Sequence, residues 1–113
     1  MNFTEYHQLE AYYSTRLLQI AKDLNKKVTV WQDVYDNGVK LDKSAQIQIW
    51  KDTNTLSDHA KWYDYLNNIT RDGYSAILSS PWYINFVSYG YQEWFNWYRI
   101  EPMSNFSGEL KLF

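Results

Sequence analysis

Residues 78–85 read Leu78-Ser79-Ser80-Pro81-Trp82-Tyr83-Ile84-Asn85, a short β-prone run that ends at a proline and continues into a Trp-Tyr pair. Two earlier runs have a similar design: Val28-Thr29-Val30-Trp31-Gln32-Asp33 and Ile47-Gln48-Ile49-Trp50-Lys51 each reach an indole beside polar residues. Proline cannot donate to a sheet ladder, so Pro81 marks the exit from the third strand. Three strands that end in aromatic side chains predict one aromatic pocket. Such a pocket suits a ligand with a flat, partly apolar face, such as a sugar ring.

Apolar spacing predicts two helices between these strands. From Thr4 to Asn25, apolar residues recur at three- and four-residue steps, which is typical of an amphipathic helix that packs on a core. These residues are Leu9, Tyr13, Leu17, Ile20 and Leu24. Thr4 is a candidate N-cap. A second helix is predicted after Ser57 or Asp58 and ends at Asp72-Gly73, with Trp62, Tyr65, Leu66 and Ile69 on its inner face.

The predicted strands are Val28–Val30, Ala45–Trp50 and Tyr74–Ser80, and residues 32–42 are predicted to form a loop with a turn at Asn37-Gly38. Strands that alternate with helices indicate an α/β fold with a parallel sheet. In β/α barrels, pocket residues lie at the carboxyl ends of the strands. A complete barrel needs about 250 residues, so three strands predict only part of one.

Composition narrows the function classes. The chain has 113 residues, which is enough for one domain, and a formal net charge of −2. This charge gives no electrostatic basis for binding nucleic acid. The chain has no cysteine, and His7 and His59 lack partners at metal-ligand spacing. We therefore predict no metal site and no cofactor.

Membrane and targeting segments are not predicted either. The uncharged run of residues 73–92 is interrupted by serine, proline, asparagine and glycine, so it does not fit a membrane span. The start, Met1-Asn2-Phe3-Thr4-Glu5, has neither the basic region nor the apolar run of a signal peptide.

Taken together, these motifs resemble the β-N-acetylhexosaminidases of glycoside hydrolase family 20, most closely the animal lysosomal and secreted enzymes. The resemblance rests on residues 30–37, 47–51 and 78–85, and it continues in the family's order at Ser88-Tyr89-Gly90, Trp94 and Glu101-Pro102. The family's catalytic domain is an eightfold β/α barrel. The resemblance therefore implies that residues 1–113 are an incomplete, C-terminal portion of that domain, covering about strands 5 to 7 with their helices.

The resemblance also implies a reaction. Enzymes of the family hydrolyse terminal, non-reducing N-acetylglucosamine or N-acetylgalactosamine residues by substrate-assisted, retaining catalysis. The implied partner is thus the terminal N-acetylhexosamine of a glycan. We expect the full-length enzyme to be lysosomal or secreted and able to form a dimer. Three N-glycosylation acceptor patterns, beginning at Asn2, Asn68 and Asn105, agree with a secretory route.

Four residues match positions that bind the sugar in the family. Tyr83 resembles the catalytic tyrosine whose hydroxyl donates a hydrogen bond to the acetamido oxygen. Trp31 and Trp50 resemble the indoles that form the walls of the acetamido methyl pocket. Asn85 stands where the family has an aspartate or asparagine that binds the outer hydroxyls of the sugar.

The acid of the reaction is missing from this chain. In the family a glutamate protonates the leaving oxygen and the preceding aspartate orients the acetamido group, but no Asp-Glu dipeptide occurs here. We therefore expect the chain alone to be inactive. The alternatives are a stand-alone N-acetylhexosamine-binding protein and a non-functional, truncated remnant.

Several residues also have simpler interpretations. Without the resemblance, Trp31 and Trp50 fit core packing as well as they fit a ligand wall. Trp82 is interpreted as supporting the pocket loop from behind. Asp33 and Asp36 are interpreted as loop caps or hydrogen-bonding partners behind the pocket, and not as a catalytic pair.

Overall fold

The computed structural model describes residues 5–51, 62–80 and 82–83. Helices and strands alternate along them as α1 Tyr6–Asp23, β1 Thr29–Trp31, α2 Gln32–Asp36, β2 Gln46–Ile49, α3 Trp62–Arg71 and β3 Ser75–Leu78. The three strands and the two long helices confirm the predicted order. Thr4, Ser57 and Asp58, the candidate helix caps, lie outside the described residues. The N-cap position of α1 is occupied by Glu5.

The predicted loop at residues 32–42 is wrong in its first part, because Gln32–Asp36 forms the helix α2. Its end agrees with the predicted Asn37-Gly38 turn. Asn37 is the C-cap, and Gly38 follows with φ +72°, a conformation that glycine adopts without a steric penalty. Five residues make little more than one helical turn, so no apolar periodicity could reveal this helix.

The sheet is parallel throughout and has the strand order β1-β2-β3. Helix α2 packs on β1 and β2, whereas α3 packs on β2 and β3. Ile47 and Ile49 on the helix-facing side are fully buried. They form the core with Val39, Leu41, Ala45, Trp62, Leu66 and Ile69. These observations confirm the α/β fold and the inner face predicted for α3.

The opposite face of the sheet is not covered to the same extent. Trp31, Gln48 and Ile77 occupy one row across the three strands. The side chains of Trp31 and Ile77 are 58% and 39% exposed. In a closed α/β barrel this face would point to the barrel interior, where side chains of all the strands fill the space.

The prediction of which face of helix α1 packs on the core is wrong. Tyr13, which was predicted to pack in the core, is 65% exposed, and the other residues of that apolar stripe are exposed as well: Leu9, Leu17, Ile20 and Leu24. A different side of α1 packs inward, with Ser14 buried and Ala11 and Leu18 partly buried against the core. Periodicity identifies an apolar stripe but does not identify the surface that covers it.

All three helices end in a Schellman motif, in which two backbone N–H groups close the last turn. In α3, the N–H of Gly73 donates to Thr70 O at 2.9 Å and that of Tyr74 to Ile69 O at 3.2 Å. Gly73 has φ +84°, which supports the prediction that Asp72-Gly73 ends this helix. At the end of α1 the left-handed position is occupied by Asn25, with φ +53°.

A polar cluster of Tyr35, Lys43, Asp72 and Tyr74 connects α2 to the residues that precede β3. The hydroxyl of Tyr35 donates to Asp72 Oδ2 at 2.6 Å, and its ring meets that of Tyr74 edge to face at 5.9 Å. The Lys43 ammonium lies 3.7 Å from the Tyr74 ring centroid and donates to the carbonyl of Asp72. Burial, followed by the hydrogen bond to Asp72, raises the pKa of Tyr35 from 10.0 to about 12.

We expect Tyr35 to ionise well above the usual tyrosine pKa of 10.0. Because its pKa is higher in the folded than in the unfolded chain, its stabilising contribution is complete below about pH 10 and is lost as the pH rises through about 12. The ultraviolet absorbance of phenolate, titrated in the wild type and in Tyr35→Phe, should differ by one component near that pKa. Asp72→Asn should shift this component to lower pH. The expectation would be contradicted if the component that Tyr35→Phe lacks titrates near pH 10 in the wild type.

Candidate aromatic site

The aromatic residues predicted to form the site lie at the carboxyl edge of the sheet. Trp31 is the last residue of β1, and Trp50 directly follows β2. Since Trp31 pairs with Gln48 and Trp50 is two residues further on, the two indoles occupy the same face of the sheet. Trp50 is 39% exposed, so neither indole is buried in the core, and core packing does not describe them.

Tyr83 reaches the same edge from the segment that follows β3. The exit of β3 is held against β2, because the N–H groups of Ser79 and Ser80 both donate to the carbonyl of Ile49. Further on, the half-buried Tyr83 donates a hydrogen bond from its hydroxyl to the carbonyl of Trp50. The structure therefore brings Trp50 and Tyr83 together. Asn85, the fourth predicted site residue, lies outside the described residues.

The indole of Trp50 is fastened at its other end as well. Its Nε1–H donates to Asp33 Oδ2 at 2.7 Å, across the gap between β2 and the first turn of α2. This contact agrees with the interpretation of Asp33 as a hydrogen-bonding partner behind the pocket. Trp50 is thus bound through both its backbone carbonyl and its ring nitrogen.

Lys51 links the two acidic residues of α2 to the end of β2. Its ammonium lies 3.4 Å from Asp33 Oδ1 and forms a closer ion pair with Asp36. Burial alone would lower the pKa of Lys51, but the hydrogen bond to Asp36 and the charges of both carboxylates raise it above its usual value. The ammonium is therefore charged at neutral pH, and its ion pairs with Asp33 and Asp36 agree with the interpretation that these residues are hydrogen-bonding partners behind the pocket.

Sequence reasoning did not identify Lys51. A signal was present, since Lys51 follows a strand-end Trp and two acidic residues follow the neighbouring strand-end Trp. Parallel strands place these positions at one edge. The Lys51 N–H also donates to Gln32 Oε1 at 3.3 Å, which ties the backbone after β2 to the start of α2.

Polar groups also lie beneath and behind the aromatic edge. Gln48 donates from its amide to Ser79 Oγ at 2.7 Å on the uncovered face. Gln32 and Ser80 are completely buried, and within the described part of the chain Gln32 Nε2 and Ser80 Oγ have no hydrogen-bond partner.

Trp82 packs against helix α3 and not beside the other aromatic residues of this edge. Its ring centroid is 6.4 Å from that of Trp62 in α3, with the rings tilted by 40°. Trp62 itself belongs to the core. This position supports the interpretation that Trp82 holds the pocket loop from behind.

The described edge of the sheet carries two partly exposed indoles and one phenolic hydroxyl. The indoles present apolar faces that suit a ring, and the Tyr83 hydroxyl, which donates to the Trp50 carbonyl here, could donate to a ligand only by exchanging that acceptor. Among residues 5–51, 62–80 and 82–83, no group of three or more histidine, aspartate or glutamate side chains could hold a metal ion. Within the same residues, no helix combines the length and apolarity needed to cross a bilayer.

Sequence comparison assigns the family. The model of glycosyl hydrolase family 20, catalytic domain, matches residues 1–108. The chain belongs to this family. The described residues form a small α/β fragment with three parallel strands, consistent with part of a family 20 domain.

Individual relatives are animal hexosaminidases. The chain is 39% identical to the beta-hexosaminidase subunit beta of Mus musculus over 109 residues, which are 96% of this chain. It is 40% identical to the subunit alpha of the same species over 102 residues, or 90% of this chain, and 35% identical to the subunit beta of Homo sapiens over 108 residues, or 96%. In each case the match spans 18% of the relative's length.

Proposed function

We propose that this chain is part of the catalytic domain of a β-N-acetylhexosaminidase and supplies one side of its sugar pocket. One observation carries the proposal: the three aromatic residues lie together at the carboxyl edge of the sheet. Tyr83 donates to the carbonyl of Trp50, and Trp50 lies on the same face of the sheet as Trp31. The substrate would be a terminal, non-reducing N-acetylglucosamine or N-acetylgalactosamine residue of a glycan. Family membership and the hexosaminidase relatives support this choice.

Each aromatic residue has a distinct proposed role. Trp31 and Trp50 form the walls of the pocket for the acetamido methyl group. Transfer of this methyl group from water to an apolar indole face is favourable. Tyr83 donates its hydroxyl hydrogen to the acetamido oxygen. Because a hydroxyl has only one hydrogen, the bound sugar must replace the Trp50 carbonyl as its acceptor. Asn85 binds the outer hydroxyls of the sugar.

The proposed reaction begins when the acetamido oxygen attacks the anomeric carbon. A bond forms between these two atoms while the bond from that carbon to the leaving oxygen breaks, and a glutamate donates the proton that the leaving oxygen takes up. Positive charge spreads over the acetamido group, where an aspartate stabilises it. Water then attacks the anomeric carbon while the bond from that carbon to the acetamido oxygen breaks, and it gives its proton to the glutamate, so that the acid is restored and the anomeric configuration is retained overall. In this proposal both carboxylates come from other parts of the full-length enzyme, so the chain alone is inactive.

The proposed place of the chain in that enzyme rests on the resemblance to the family, and the uncovered surfaces of the chain agree with it. Residues 1–113 would be a C-terminal portion of an eightfold β/α barrel, about strands 5 to 7 with their helices. The exposed face of the sheet and the exposed stripe of α1 support this assignment, since neighbouring strands and helices of a barrel would cover both. We further propose that the full-length enzyme is lysosomal or secreted and can form a dimer.

A segment exchange tests the function. In the mouse subunit beta, the segment that matches this chain is replaced by residues 1–108, and the purified chimera is assayed with an aryl 2-acetamido-2-deoxy-β-glucoside. We expect hydrolysis, and we expect an N-acetylglucosamine-derived thiazoline, which mimics the bicyclic intermediate, to inhibit it.

The matched control substrate is the aryl β-glucoside with a hydroxyl in place of the acetamido group. It should not be hydrolysed, because it lacks the internal nucleophile. A folded chimera that neither hydrolyses the first substrate nor binds the thiazoline would contradict the proposal.

A further inference from the structure

The carboxylate of Asp33 contacts the end of β2 through both of its oxygens. Oδ2 accepts the indole N–H of Trp50 at 2.7 Å, and Oδ1 lies 3.4 Å from the ammonium of Lys51. A hydrogen bond to an ionised acceptor is shorter and stronger than one between neutral groups. The ion pair leaves one carboxylate oxygen directed at the ring of Trp50.

The ring of Trp50 is only partly covered by the described residues. Trp50 is 39% exposed, and an indole has a single polar atom with which to hold its orientation. The Tyr83 hydroxyl binds the backbone carbonyl of Trp50 and leaves the side-chain torsions free. Among the described residues, the contact with Asp33 is therefore the hydrogen bond that restrains the rotation of the indole, while the Lys51 ammonium lies 5.9 Å from the ring centroid.

We infer that Asp33 is a positioning residue that sets the size limit of the acyl pocket by fixing the indole of Trp50. This inference rests on the proposed function, in which Trp50 is one wall of that pocket. With the indole fixed, the pocket accepts an acetyl group and excludes a longer acyl chain. With the indole released, the wall moves and the longer chain enters.

Asp36 provides a matched control within the same ion-pair cluster. Its carboxylate binds the same ammonium as Asp33, and no hydrogen bond joins it to Trp31, Trp50 or Tyr83 among the described residues. Asp36→Asn removes one negative charge beside Lys51, as Asp33→Asn does. It leaves the indole contact intact.

The test compares two substrates that differ by one methylene, the aryl 2-acetamido and 2-propionamido 2-deoxy-β-glucosides. Both are assayed on the active chimera with residues 1–108. One methylene in an apolar pocket is discriminated by roughly 10- to 200-fold in kcat/KM. We expect Asp33→Ala to lower this ratio about tenfold, which is all of the discrimination at the lower end of that range and a little under half of it, as free energy, at the upper end. Unfolded or inactive protein cancels from the ratio, so a merely structural role would not change it.

Two further variants separate the hydrogen bond from the charge. Asp33→Asn keeps an oxygen acceptor for the indole and should keep the ratio near that of the parent, as should Asp36→Asn. Asp33→Leu keeps the branched shape without an acceptor and should lower the ratio as Asp33→Ala does. It serves as the test if the alanine variant yields no active enzyme.

An unchanged ratio in Asp33→Ala and Asp33→Leu would overturn the inference while leaving the proposed function intact. An equal fall in Asp36→Asn would also overturn it, because the effect would then come from the charge and not from the indole contact. Failure of the proposed function is distinguishable, since the parent chimera would then hydrolyse neither substrate.

Discussion

Replacing Tyr83 with phenylalanine in the chimera should lower kcat on the aryl 2-acetamido-2-deoxy-β-glucoside by roughly 10²–10³-fold, the usual loss for one donor to a developing charge. The substitution removes only the hydroxyl, which we propose to stabilise the charge that develops on the acetamido group. Such a bond strengthens between ground state and transition state, so kcat should fall more than KM rises. Steady-state kinetics measures both, and the affinity for the thiazoline should fall in parallel.

The hydroxyl of Tyr83 also holds the carbonyl of Trp50, so its loss has a structural component. Tyr35→Phe is the matched control, because it removes a phenolic hydroxyl from the cluster at Asp72, which contains none of the pocket residues. It should leave kcat unchanged. Equal losses of kcat in the two variants would show that general destabilisation, and not the pocket hydroxyl, is responsible.

The largest expected effect on stability comes from Ile47→Ala. Ile47 is fully buried in the central strand, between β1 and β3, and its truncation removes apolar contacts and leaves a cavity. Such changes cost about 2–5 kcal/mol of the free energy of unfolding. Because small domains are stable by only about 5–15 kcal/mol, this is a large share. Urea unfolding of the 113-residue chain, followed by far-ultraviolet circular dichroism, measures it.

Ile77→Ala is the control for this prediction, since it makes the same chemical change in the neighbouring strand. Ile77 lies on the uncovered face of the sheet and is 39% exposed, so its truncation should cost much less. If both variants lost equal stability, the two faces of the sheet would be buried equally. The described packing of one face against the helices would then be wrong.

The order of the elements could be predicted because their local signals are strong. Alternating apolar residues around Ile47 and Ile49 indicate a strand, and the Asp72-Gly73 pair marks the end of α3. Local signals could not predict which surface, protein or solvent, each helix face and sheet face contacts. The apolar stripe of α1 that includes Leu17 and Leu24 is exposed in the structure, because the surface opposite a stripe is decided by the tertiary fold.

The positions of three candidate site residues in the fold could be predicted, but their contacts could not. The rule that pocket residues follow the strands of a parallel sheet places Trp31, Trp50 and Tyr83 at one edge, and the structure agrees. The bond between Trp50 and Asp33 joins residues 17 positions apart and depends on the rotamers of both. No pattern in the sequence encodes such a rotamer choice. The roles of these residues in binding a sugar stay predictions.

The Schellman ends of the helices have an evolutionary consequence. Only residues 72–74 separate α3 from β3, and the N–H groups of Gly73 and Tyr74 are used to close the helix. An inserted or deleted residue there would shift the strand by one position and turn its side chains to the other face. Ten residues lie between Lys51 and Trp62, in the connection that leaves the pocket edge. Homologues should therefore keep a constant length between α3 and β3, whereas a change of length between β2 and α3 can alter the pocket edge without shifting the register of β3.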